Sequence, residues 1–599
     1  MILGDTLPAT LAARSAATPE QAAFWSRDDD GHWSATNWAE VQRRVGKLAW
    51  QLRLLGIGRG DRVALVLPTT PEWEYAQHAV LAAGGVVVGL DASETEANLR
   101  HMLHTVQPSA LIVDTRAVGD RLSALTQGGT PRIVVAEGEP GPDGLRLDEL
   151  LARPMPATAD LPAAAADDLA TIIFTSGSTG QPKGIAYTHA QLVLVGRAIL
   201  EQFPSIDEGA RLACWLPLSN LFQRIINLCA LICGAQSWFV RHPAQIMERL
   251  PEIRPSLFVG VPRFFEKLYA GIVAQLDARP APVRTLAHAA WRFACEVRAA
   301  ERAGLPVAGS RAAIAWLADR LVLSRIRAAM GPNLQFMVSG SAPIPVWLLE
   351  RFHGLGWLVL EAYGTSENAL PIALNTPAAY RFGTVGRPLA HNALVIAEDG
   401  EILVRGPALF SGYWGTDPAD AGIDDAGFLH TGDLGRVDDS GFLALTGRKS
   451  ELFKTSTGRR IAPGSIEALI KRVPAVEHAV LVGRNRPFPV AIVDLALPPA
   501  ADAPGSGDRP SRSQALVEAL GERILAACRD LPAYQRPAAI LVSPIPFSVD
   551  GGQLTANQKL RRQHIEALFA RELDALYRDL EEAHDTGHPR FICRRAGAT

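Results

Sequence analysis

The segment at 175–184 holds the residues of this chain best suited to bind an anion. It contains three glycines, four hydroxyl side chains and one lysine, in the order Thr175, Ser176, Gly177, Ser178, Thr179, Gly180, Gln181, Pro182, Lys183 and Gly184. Glycines let backbone N–H groups turn towards a ligand, hydroxyls add donors, and Lys183 adds a positive charge. This composition predicts a polyphosphate-binding loop. A Walker A loop is excluded, because Gly184 follows the lysine where that motif has Ser or Thr; a plain glycine- and serine-rich turn is the alternative.

A second candidate group follows the apolar run at 357–360. It consists of Glu361, Ala362, Tyr363, Gly364, Thr365, Ser366 and Glu367. A strand over the apolar run would leave this group in a loop just beyond the strand end, which is where open α/β sheets bind ligands. From the residue types alone, a simple turn fits this group equally well.

Two further groups carry charge in spacings that allow chemistry. Asp433 lies in a His-Thr-Gly-Asp sequence ahead of Gly447 and Arg448, and a carboxylate can accept hydrogen bonds from both hydroxyls of a ribose. An aspartate in this setting is also typical of a turn. Lys559 is one of three nearby cations, which by spacing alone indicates an exposed surface.

The elements that must position these groups alternate between strand and helix patterns. Residues 62–67, 85–90 and 171–174 are apolar runs typical of buried strands, whereas 38–48 and 73–83 have helical spacing. This alternation predicts α/β layers around a mainly parallel sheet.

The rest of the chain changes character twice. Residues 264–330 have a predominantly helical pattern, and 397–449 read as short strands between glycine turns. A compact α+β pattern follows, interrupted at 499–513 by a segment whose composition predicts a flexible loop. Thr188 and Gln191 have capping-box spacing, which predicts a helix start after the candidate phosphate loop.

The segment at 175–184 resembles the phosphate-binding loop of the adenylate-forming superfamily, which includes acyl-CoA synthetases, firefly luciferase and the adenylation domains of peptide synthetases. The groups at 340–343, 361–367, 430–433 and 554–562 resemble further motifs of that superfamily and occur in the expected order. Similarity at 261–267, 317–327 and 447–467 indicates the long-chain fatty acyl-CoA synthetase branch.

The resemblance implies a role for each candidate residue. The phosphate loop and Lys183 would bind the phosphates of ATP, Ser366 would bind the α-phosphate, and Glu367 would hold Mg²⁺. Asp433 would bind ribose with Arg448 as a second contact, and Lys559 would bridge the substrate carboxylate and the phosphate. The adenine side of the site would be formed by Gly340, Ser341, Ala342, Pro343 and by the segment Glu361, Ala362, Tyr363, Gly364 and Thr365. Ser450 occupies the position of an interdomain hinge, and Gly458 lies in a loop that would reach the site for a second half-reaction.

The resemblance also implies a fold and an activity. The fold would be α/β, with a large N-terminal domain of layered α/β subdomains at 1–447, including a β-rich subdomain at 397–447, and a smaller mobile α+β domain at 448–599. The activity would be ATP- and Mg²⁺-dependent ligation of a long-chain fatty acid to coenzyme A, through an acyl-adenylate, with release of AMP and pyrophosphate. Two alternatives stay open: transfer of the acyl group to a carrier-protein phosphopantetheine, and a non-catalytic relative that binds acyl groups or nucleotides.

Three positions depart from the pattern of this branch. Its members usually have His and Glu where this chain has Asn220 and Gln223, which puts the positioning of the acyl carboxylate in question. The hinge position, usually Asp or Lys, is Ser450.

Length and composition limit the number of domains, the kinds of partner and the location that this chain can have. A chain of 599 residues exceeds what one hydrophobic core normally serves, so at least two domains are expected. A net charge of -3 lacks the basic excess that is typical of nucleic-acid-binding proteins. The six cysteines have no metal-like pairing, and together with an N-terminus unlike a signal peptide they favour a cytoplasmic location. The longest apolar run is too short to span a bilayer. Peripheral contact with the inner face of a membrane stays possible. The sequence does not indicate the oligomeric state.

Overall fold

A computed structural model describes residues 1–28, 30–126, 131–156, 158–175, 181–473, 475–495, 510–548, 551–554, 560–585 and 592–596. The chain divides into two compact units. The larger unit comprises Met1–Val395, Leu403–His430 and Asp439–Leu443, and the smaller one Ile396–Ile402, Thr431–Asp438 and Ala444–Thr599.

The α-helices are α1 Leu7–Ala17, α2 Trp38–Leu54, α3 Pro71–Ala82, α4 Glu96–Val106, α5 Arg116–Ser123, α6 Leu147–Ala152, α7 His189–Gln202, α8 Leu221–Cys233, α9 Ile246–Ile253, α10 Pro262–Asp277, α11 Ala281–Arg302, α12 Gly309–Ala318, α13 Ser324–Arg327, α14 Val346–Gly354, α15 Pro463–Ile470, α16 Pro510–Ala527, α17 Arg562–Leu568 and α18 Ala570–Asp585. A π-helix, Asp319–Leu323, joins α12 to α13.

The strands are β1 Ala22–Arg27, β2 Trp33–Asn37, β3 Arg62–Val66, β4 Val86–Gly89, β5 Ala110–Thr115, β6 Arg132–Glu137, β7 Leu145–Arg146, β8 Leu169–Thr175, β9 Lys183–Thr188, β10 Arg211–Cys214, β11 Gln236–Phe239, β12 Leu257–Gly260, β13 Phe336–Ser339, β14 Val359–Tyr363, β15 Ala373–Leu374, β16 Arg387–Pro388, β17 Ala393–Ile396, β18 Glu401–Arg405, β19 Leu429–Val437, β20 Leu443–Arg448, β21 Phe453–Lys454, β22 Arg460–Ile461, β23 Val476–Val482, β24 Val490–Leu495, β25 Ala539–Val542 and β26 Ile592–Arg595.

The larger unit contains two mainly parallel sheets. The first has the strand order β7-β6-β5-β3-β4-β8-β9, in which only the β8–β9 pair is antiparallel. The second has the order β16-β15-β14-β13-β12-β10-β11-β1-β2, with parallel pairing from β14 through to β1. The strands of these sheets are apolar on both faces, so helices pack against both faces of each sheet. The α/β prediction is therefore confirmed.

The smaller unit is built around the sheet β23-β24-β25-β26. Successive residues of β23 face opposite sides: Ala479 and Leu481 pack with α15 and α16, whereas Val480 and Val482 pack with α17 and α18. The alternation of side chains along a strand thus gives this sheet two apolar faces, each covered by helices. The predicted α+β pattern is confirmed.

Individual predictions from the sequence agree with these elements. Thr188 and Gln191 form both hydrogen bonds of a capping box at the start of α7. The helical pattern at 264–330 corresponds to α10–α13. The predicted loop at 499–513 extends too far, because α16 begins at Pro510; its remainder lies outside the described residues. No helix within the described ranges is long and apolar enough to cross a membrane.

A buried polar network joins the two large sheets. Arg224 of α8 donates from Nε to Gln77 Oε1 at 2.6 Å and from Nη1 to Thr171 Oγ1 at 2.8 Å. Burial lowers the pKa of this guanidinium to about 10, and the nearby carboxylate of Glu74 opposes that shift. The side chain therefore stays charged at neutral pH, and a buried charge of this kind requires its partners.

Gln223 and Asn227 extend the network to the loop at 215–220. The Gln223 amide oxygen accepts from the backbone N–H groups of Trp215 and Leu216, and its amide nitrogen donates to Asn227 Oδ1 at 3.1 Å. Asn227 in turn donates to Glu74 Oε1 at 2.7 Å. Gln223 thus has an identified structural role, and the buried carboxylate of this network lies at Glu74.

This chain of donors predicts that Gln223→Glu destabilises the larger unit. Asn227 presents its amide oxygen to position 223 and its amide nitrogen to Glu74, so a carboxylate at 223 would face an acceptor. Rotating the amide would only move that acceptor–acceptor contact to Glu74, and either arrangement costs about 2–4 kcal/mol. The apparent Tm should fall, and Glu74→Gln in the same chain should recover part of the loss, because Asn227 can then donate to position 223.

The exposed Gln245→Glu serves as the control and should leave the Tm unchanged. An unchanged Tm in Gln223→Glu would show that the network does not hold the two sheets.

Candidate active site

The candidate phosphate loop connects an antiparallel strand pair at the edge of the first sheet. β8 ends at Thr175 and β9 begins at Lys183, and these two residues are paired in the ladder. Ser176, Gly177, Ser178, Thr179 and Gly180 lie outside the described residues. Pairing of Thr175 with Lys183 fixes both ends of the loop at the carboxyl end of β8.

Two further predicted groups lie together because β13 and β14 are adjacent parallel strands. Ser339 and Glu361 are paired across them, so the segment starting at Gly340 and the segment starting at Gly364 leave the second sheet at the same edge. Ser341 has a φ of 72°, a left-handed conformation that is uncommon outside glycine. The described backbone thus brings Gly340, Ser341, Ala342 and Pro343 beside Gly364, Thr365, Ser366 and Glu367.

Glu361 lies inside a strand and not in the loop expected from the sequence. Glu361, Ala362 and Tyr363 belong to β14 rather than to a loop beyond it. Burial raises the pKa of Glu361 to about 8, against the opposing effect of hydrogen bonds from the backbone of Ile344 and Gly383. At neutral pH this carboxyl group is largely protonated, and it ties the segment that follows Pro343 to Gly383.

Tyr413 brings together two charged residues of opposite sign. Lys183 Nζ lies 4.3 Å from the centroid of the Tyr413 ring, and the Tyr413 hydroxyl donates to Glu367 Oε1 at 2.9 Å. Burial, followed by the charge of Glu367, raises the pKa of this phenol, so that it remains a donor. One aromatic side chain therefore sets the positions of both the lysine and the carboxylate.

Backbone contacts reinforce this arrangement. Trp414 N donates to Gly184 O at 2.8 Å, and Phe410 N donates to Glu367 O at 2.9 Å. The buried Tyr187 hydroxyl donates to Ser366 O. The strand β9 and the segment at 410–414 thus hold residues 366 and 367 from two sides.

The loop at 215–220 lies between the two sheets. Thr69 Oγ1 donates to Leu216 O at 3.1 Å, and a Cβ added to Gly89 would lie 2.9 Å from Ser219 O. Only glycine permits such an approach. The segment that carries Asn220 is therefore fixed against the carboxyl ends of both β3 and β4.

The smaller unit holds the other predicted residues. Arg448 Nε lies 2.8 Å from Asp433 Oδ1, so the two residues expected to share a ligand are an ion pair. Lys449 Nζ lies 2.8 Å from both Asp399 Oδ2 and Glu401 Oε2, and Ser450 follows in an exposed turn. Gly458, with a φ of 80°, lies in the turn between β21 and β22.

Lys559 lies outside the described residues, but the chain on either side is described. Leu554 and Leu560 form an isolated antiparallel bridge, and Arg561 N donates to Gln553 O at 2.8 Å. Arg562 forms an ion pair with Glu467 and lies 3.4 Å from Glu451 Oε1. These contacts fix the two ends of the segment that contains Lys559.

The donor set fits a magnesium ion that arrives with a nucleotide. Among the described residues, no three His, Cys, Asp or Glu side chains lie together as they would for a resident metal. Mg²⁺ is usually bound by one or two carboxylates together with substrate phosphates, and Glu367 would supply one carboxylate. Two residues earlier, the buried Thr365 hydroxyl oxygen has no hydrogen-bond partner in the described part of the chain.

Sequence reasoning missed Tyr413 and Tyr187. Both are aromatic residues whose contacts join segments more than 40 residues apart. The Gly-Tyr-Trp sequence at 412–414 was the available signal, but residue type and spacing do not reveal a partner so distant in the chain. The network around Glu74 was missed for the same reason.

Comparison with known proteins agrees with this architecture. The profile of the family described as "AMP-binding enzyme" matches residues 11–414, and that of the "AMP-binding enzyme C-terminal domain" matches 451–581. The long-chain-fatty-acid–CoA ligase FadD15 of Mycobacterium tuberculosis is 33% identical over 574 residues, covering 92% of this chain and 94% of the relative. The long-chain-fatty-acid–CoA ligase heimdall of Drosophila melanogaster is 30% identical, covering 79% of this chain and 74% of the relative.

Solved structures with the same fold are more distant in sequence. The adenylation domain of a carboxylate reductase from Mycobacterium chelonae superposes with a TM-score of 0.75 at 21% identity, covering 96% of this chain and 91% of that one. The anthranilate CoA ligase AuaEII, in complex with anthranoyl-AMP, gives 0.71 at 19% identity, covering 94% and 97%. With its two matched domains, its relatives along nearly the whole length and its two-sheet architecture, this chain belongs to the AMP-binding enzyme family.

Proposed function

We propose that this protein is an AMP-forming ligase that joins a long-chain fatty acid to coenzyme A through an acyl-adenylate. The observation that supports it most is that Lys183 and Glu367 both contact the side chain of Tyr413. This contact lies at the edge where the candidate phosphate loop and the segment at 364–367 meet. A cation for phosphate and a carboxylate for its metal are the two charges that ATP chemistry requires. The names of the relatives supply the substrate class, a long-chain fatty acid.

In this proposal the chain contributes positioning and charge rather than a nucleophile. The exposed Lys183 would turn from the Tyr413 ring to the phosphates, and Ser366 would bind the α-phosphate. Asp433 and Arg448 would bind ribose, and Lys559 would bridge the fatty carboxylate and the α-phosphate. When bound, Mg²⁺ would neutralise phosphate charge at Glu367. The fatty carboxylate then attacks the α-phosphorus, pyrophosphate leaves, and the CoA thiol displaces AMP in a second step.

The domain boundary at 447/448 and the hinge at Ser450 belong to the same proposal. A hinge needs a few residues whose φ and ψ can change, and Ser450 lies in an exposed turn directly after β20. Gly458 would enter the site with the second step. We further propose a cytoplasmic location, with peripheral contact to the inner face of a membrane.

The proposal is tested by measuring pyrophosphate release across carboxylic acids of different chain length, with ATP and Mg²⁺ present. Release should depend on a long-chain fatty acid, and acyl-CoA should form when CoA is added. If a thioester forms only with a carrier-protein phosphopantetheine, then the carrier protein and not CoA is the acceptor. Nucleotide binding without acid-dependent release would indicate a non-catalytic relative.

Glu367→Gln should raise the Mg²⁺ concentration needed for half-maximal adenylation by about tenfold or more, because the amide keeps the shape but removes the charge. Excess Mg²⁺ should restore part of the rate. Binding of Mn²⁺ in the presence of ATP, followed by electron paramagnetic resonance, should weaken in parallel.

Tyr413→Phe is the matched control for this change, since it retains the ring against Lys183 and removes only the hydrogen bond to Glu367. It should raise the Mg²⁺ requirement by less than Glu367→Gln does, because the charge of the carboxylate stays and only its positioning is weakened. If Glu367→Gln left both the Mg²⁺ dependence and Mn²⁺ binding unaltered, the metal would be held elsewhere.

Lys559→Ala should lower the rate of acyl-adenylate formation on the order of 10² to 10³-fold, the scale of losing one transition-state charge contact. Thioester formation from supplied acyl-adenylate should survive, because that step no longer needs the carboxylate bridged. Arg561→Ala, two residues away, should affect neither step. Equal losses in both steps of a folded Lys559→Ala protein would refute this role.

Ser450→Pro should separate the two half-reactions, because proline fixes φ near −65° at a backbone that must adopt two conformations. Single-turnover pyrophosphate release should stay near that of the unsubstituted protein, while acyl-CoA formation falls much further. Ser450→Ala, which leaves φ free, should behave like the parent. Unchanged rates for both steps in Ser450→Pro would mean that the chain does not pivot here.

A further inference from the structure

The helical segment at 278–330 carries an apolar surface that no part of the described chain covers. No residue of α12 is buried. On α12 and the following π-helix, Ile314, Trp316, Leu317 and Leu321 are 55%, 62%, 48% and 52% exposed, and Leu305 just before α12 is 60% exposed. Single exposed apolar residues are ordinary, but four large ones within 314–321 of one helical stretch mark an interaction surface. We call these five residues the α12 patch.

The same segment is strongly basic. Residues 278–330 contain nine arginines against three acidic residues, in a chain whose total net charge is -3. The three carboxylates are each engaged by an arginine: Glu296 with Arg311, Glu301 with Arg298, and Asp319 with Arg327. Arg302 pairs with Glu350 outside the segment. Within the described part of the chain, the other five arginines, including Arg320 and Arg325 beside the α12 patch, have no acidic partner.

Two arginine–aromatic contacts lie in this segment. The Arg320 guanidinium lies 5.7 Å from the centroid of the Trp316 ring, and Arg311 lies 5.2 Å from that of Phe293. Arginine and tryptophan together suit the interface between lipid headgroups and acyl chains, where an apolar body and a polar or charged end are both accommodated. A nucleic-acid surface would not need the leucines and the isoleucine.

We infer that the α12 patch docks on an anionic lipid bilayer, with its apolar side chains at the headgroup boundary and its arginines on the lipid phosphates. Charge complementarity selects this occupant over a neutral or basic protein face, because a net positive segment is attracted to an anionic leaflet. The inference concerns this surface alone and does not depend on the ligase activity. It adds a docking element to the membrane contact proposed above.

The test is co-sedimentation of the full chain with vesicles, without ATP, CoA or fatty acid. Vesicles of phosphatidylcholine are compared with vesicles of equal parts phosphatidylcholine and phosphatidylglycerol. The protein should bind the anionic vesicles and lose binding as salt is raised, since exposed charges are screened. Trp316→Ser with Leu317→Ser should lower the partition coefficient by about tenfold or more, and Arg320→Gln with Arg325→Gln by about fivefold for each charge removed.

Leu54→Ser, at an exposed leucine on α2 outside this segment, is the matched control and should bind as the parent does. Unchanged melting profiles of the variants show that they are folded. Absence of binding to anionic vesicles, or binding that the Trp316 and Leu317 changes do not weaken, would overturn the inference. So would a dimer in solution that these changes dissociate, because a second copy would then be the occupant of the patch.

Discussion

The buried charge of Arg224 is the constraint on which the larger unit depends. This guanidinium lies between α3, α8 and β8, and it needs Gln77, Thr171 and the nearby carboxylate of Glu74 to compensate for the loss of water. Arg224 lies on α8, which connects β10 to β11 of the second sheet, whereas these partners lie on α3 and β8 of the first. The two sheets must therefore keep one relative position. The network continues through Asn227 and Gln223 to the backbone of Trp215 and Leu216. The loop at 215–220 is thereby attached to the same constraint.

The candidate site of the larger unit is a consequence of that arrangement. The carboxyl ends of β8, β13 and β14 carry the residues proposed to bind ATP, and only a fixed relation between the two sheets brings them to one edge. Tyr413 positions two of the site's side chains, since its ring contacts Lys183 and its hydroxyl donates to Glu367. The departure at Gln223 is also intelligible in these terms: an amide there can both accept from the backbone and donate to Asn227, whereas a carboxylate could only accept.

Local patterns made much of the fold predictable. The strands at 62–66, 86–89 and 169–175, the capping box at Thr188 and the long helical segment all follow from periodicity and from residue types adjacent in the sequence. The motif residues were predicted by resemblance, and the adjacency of 340–343 to 361–367 follows from two neighbouring parallel strands. The position of Glu361 inside β14 was not predicted, because an acidic residue rarely continues a buried strand. Tyr413, Glu74 and the α12 patch depend on distant contacts or on exposure, which periodicity does not report.

The central claim, that the carboxylate oxygen of a fatty acid attacks the α-phosphorus of ATP on this protein, has a direct isotopic test. The protein is incubated with ATP, Mg²⁺, CoA and a long-chain fatty acid labelled with ¹⁸O in both carboxylate oxygens, and the AMP is analysed by mass spectrometry. Attack by the carboxylate leaves one ¹⁸O in every AMP formed when the CoA thiol cleaves the acyl-adenylate. The account predicts AMP that is singly labelled and formed in equal amount with acyl-CoA. Unlabelled AMP, or release of ADP in its place, would contradict it.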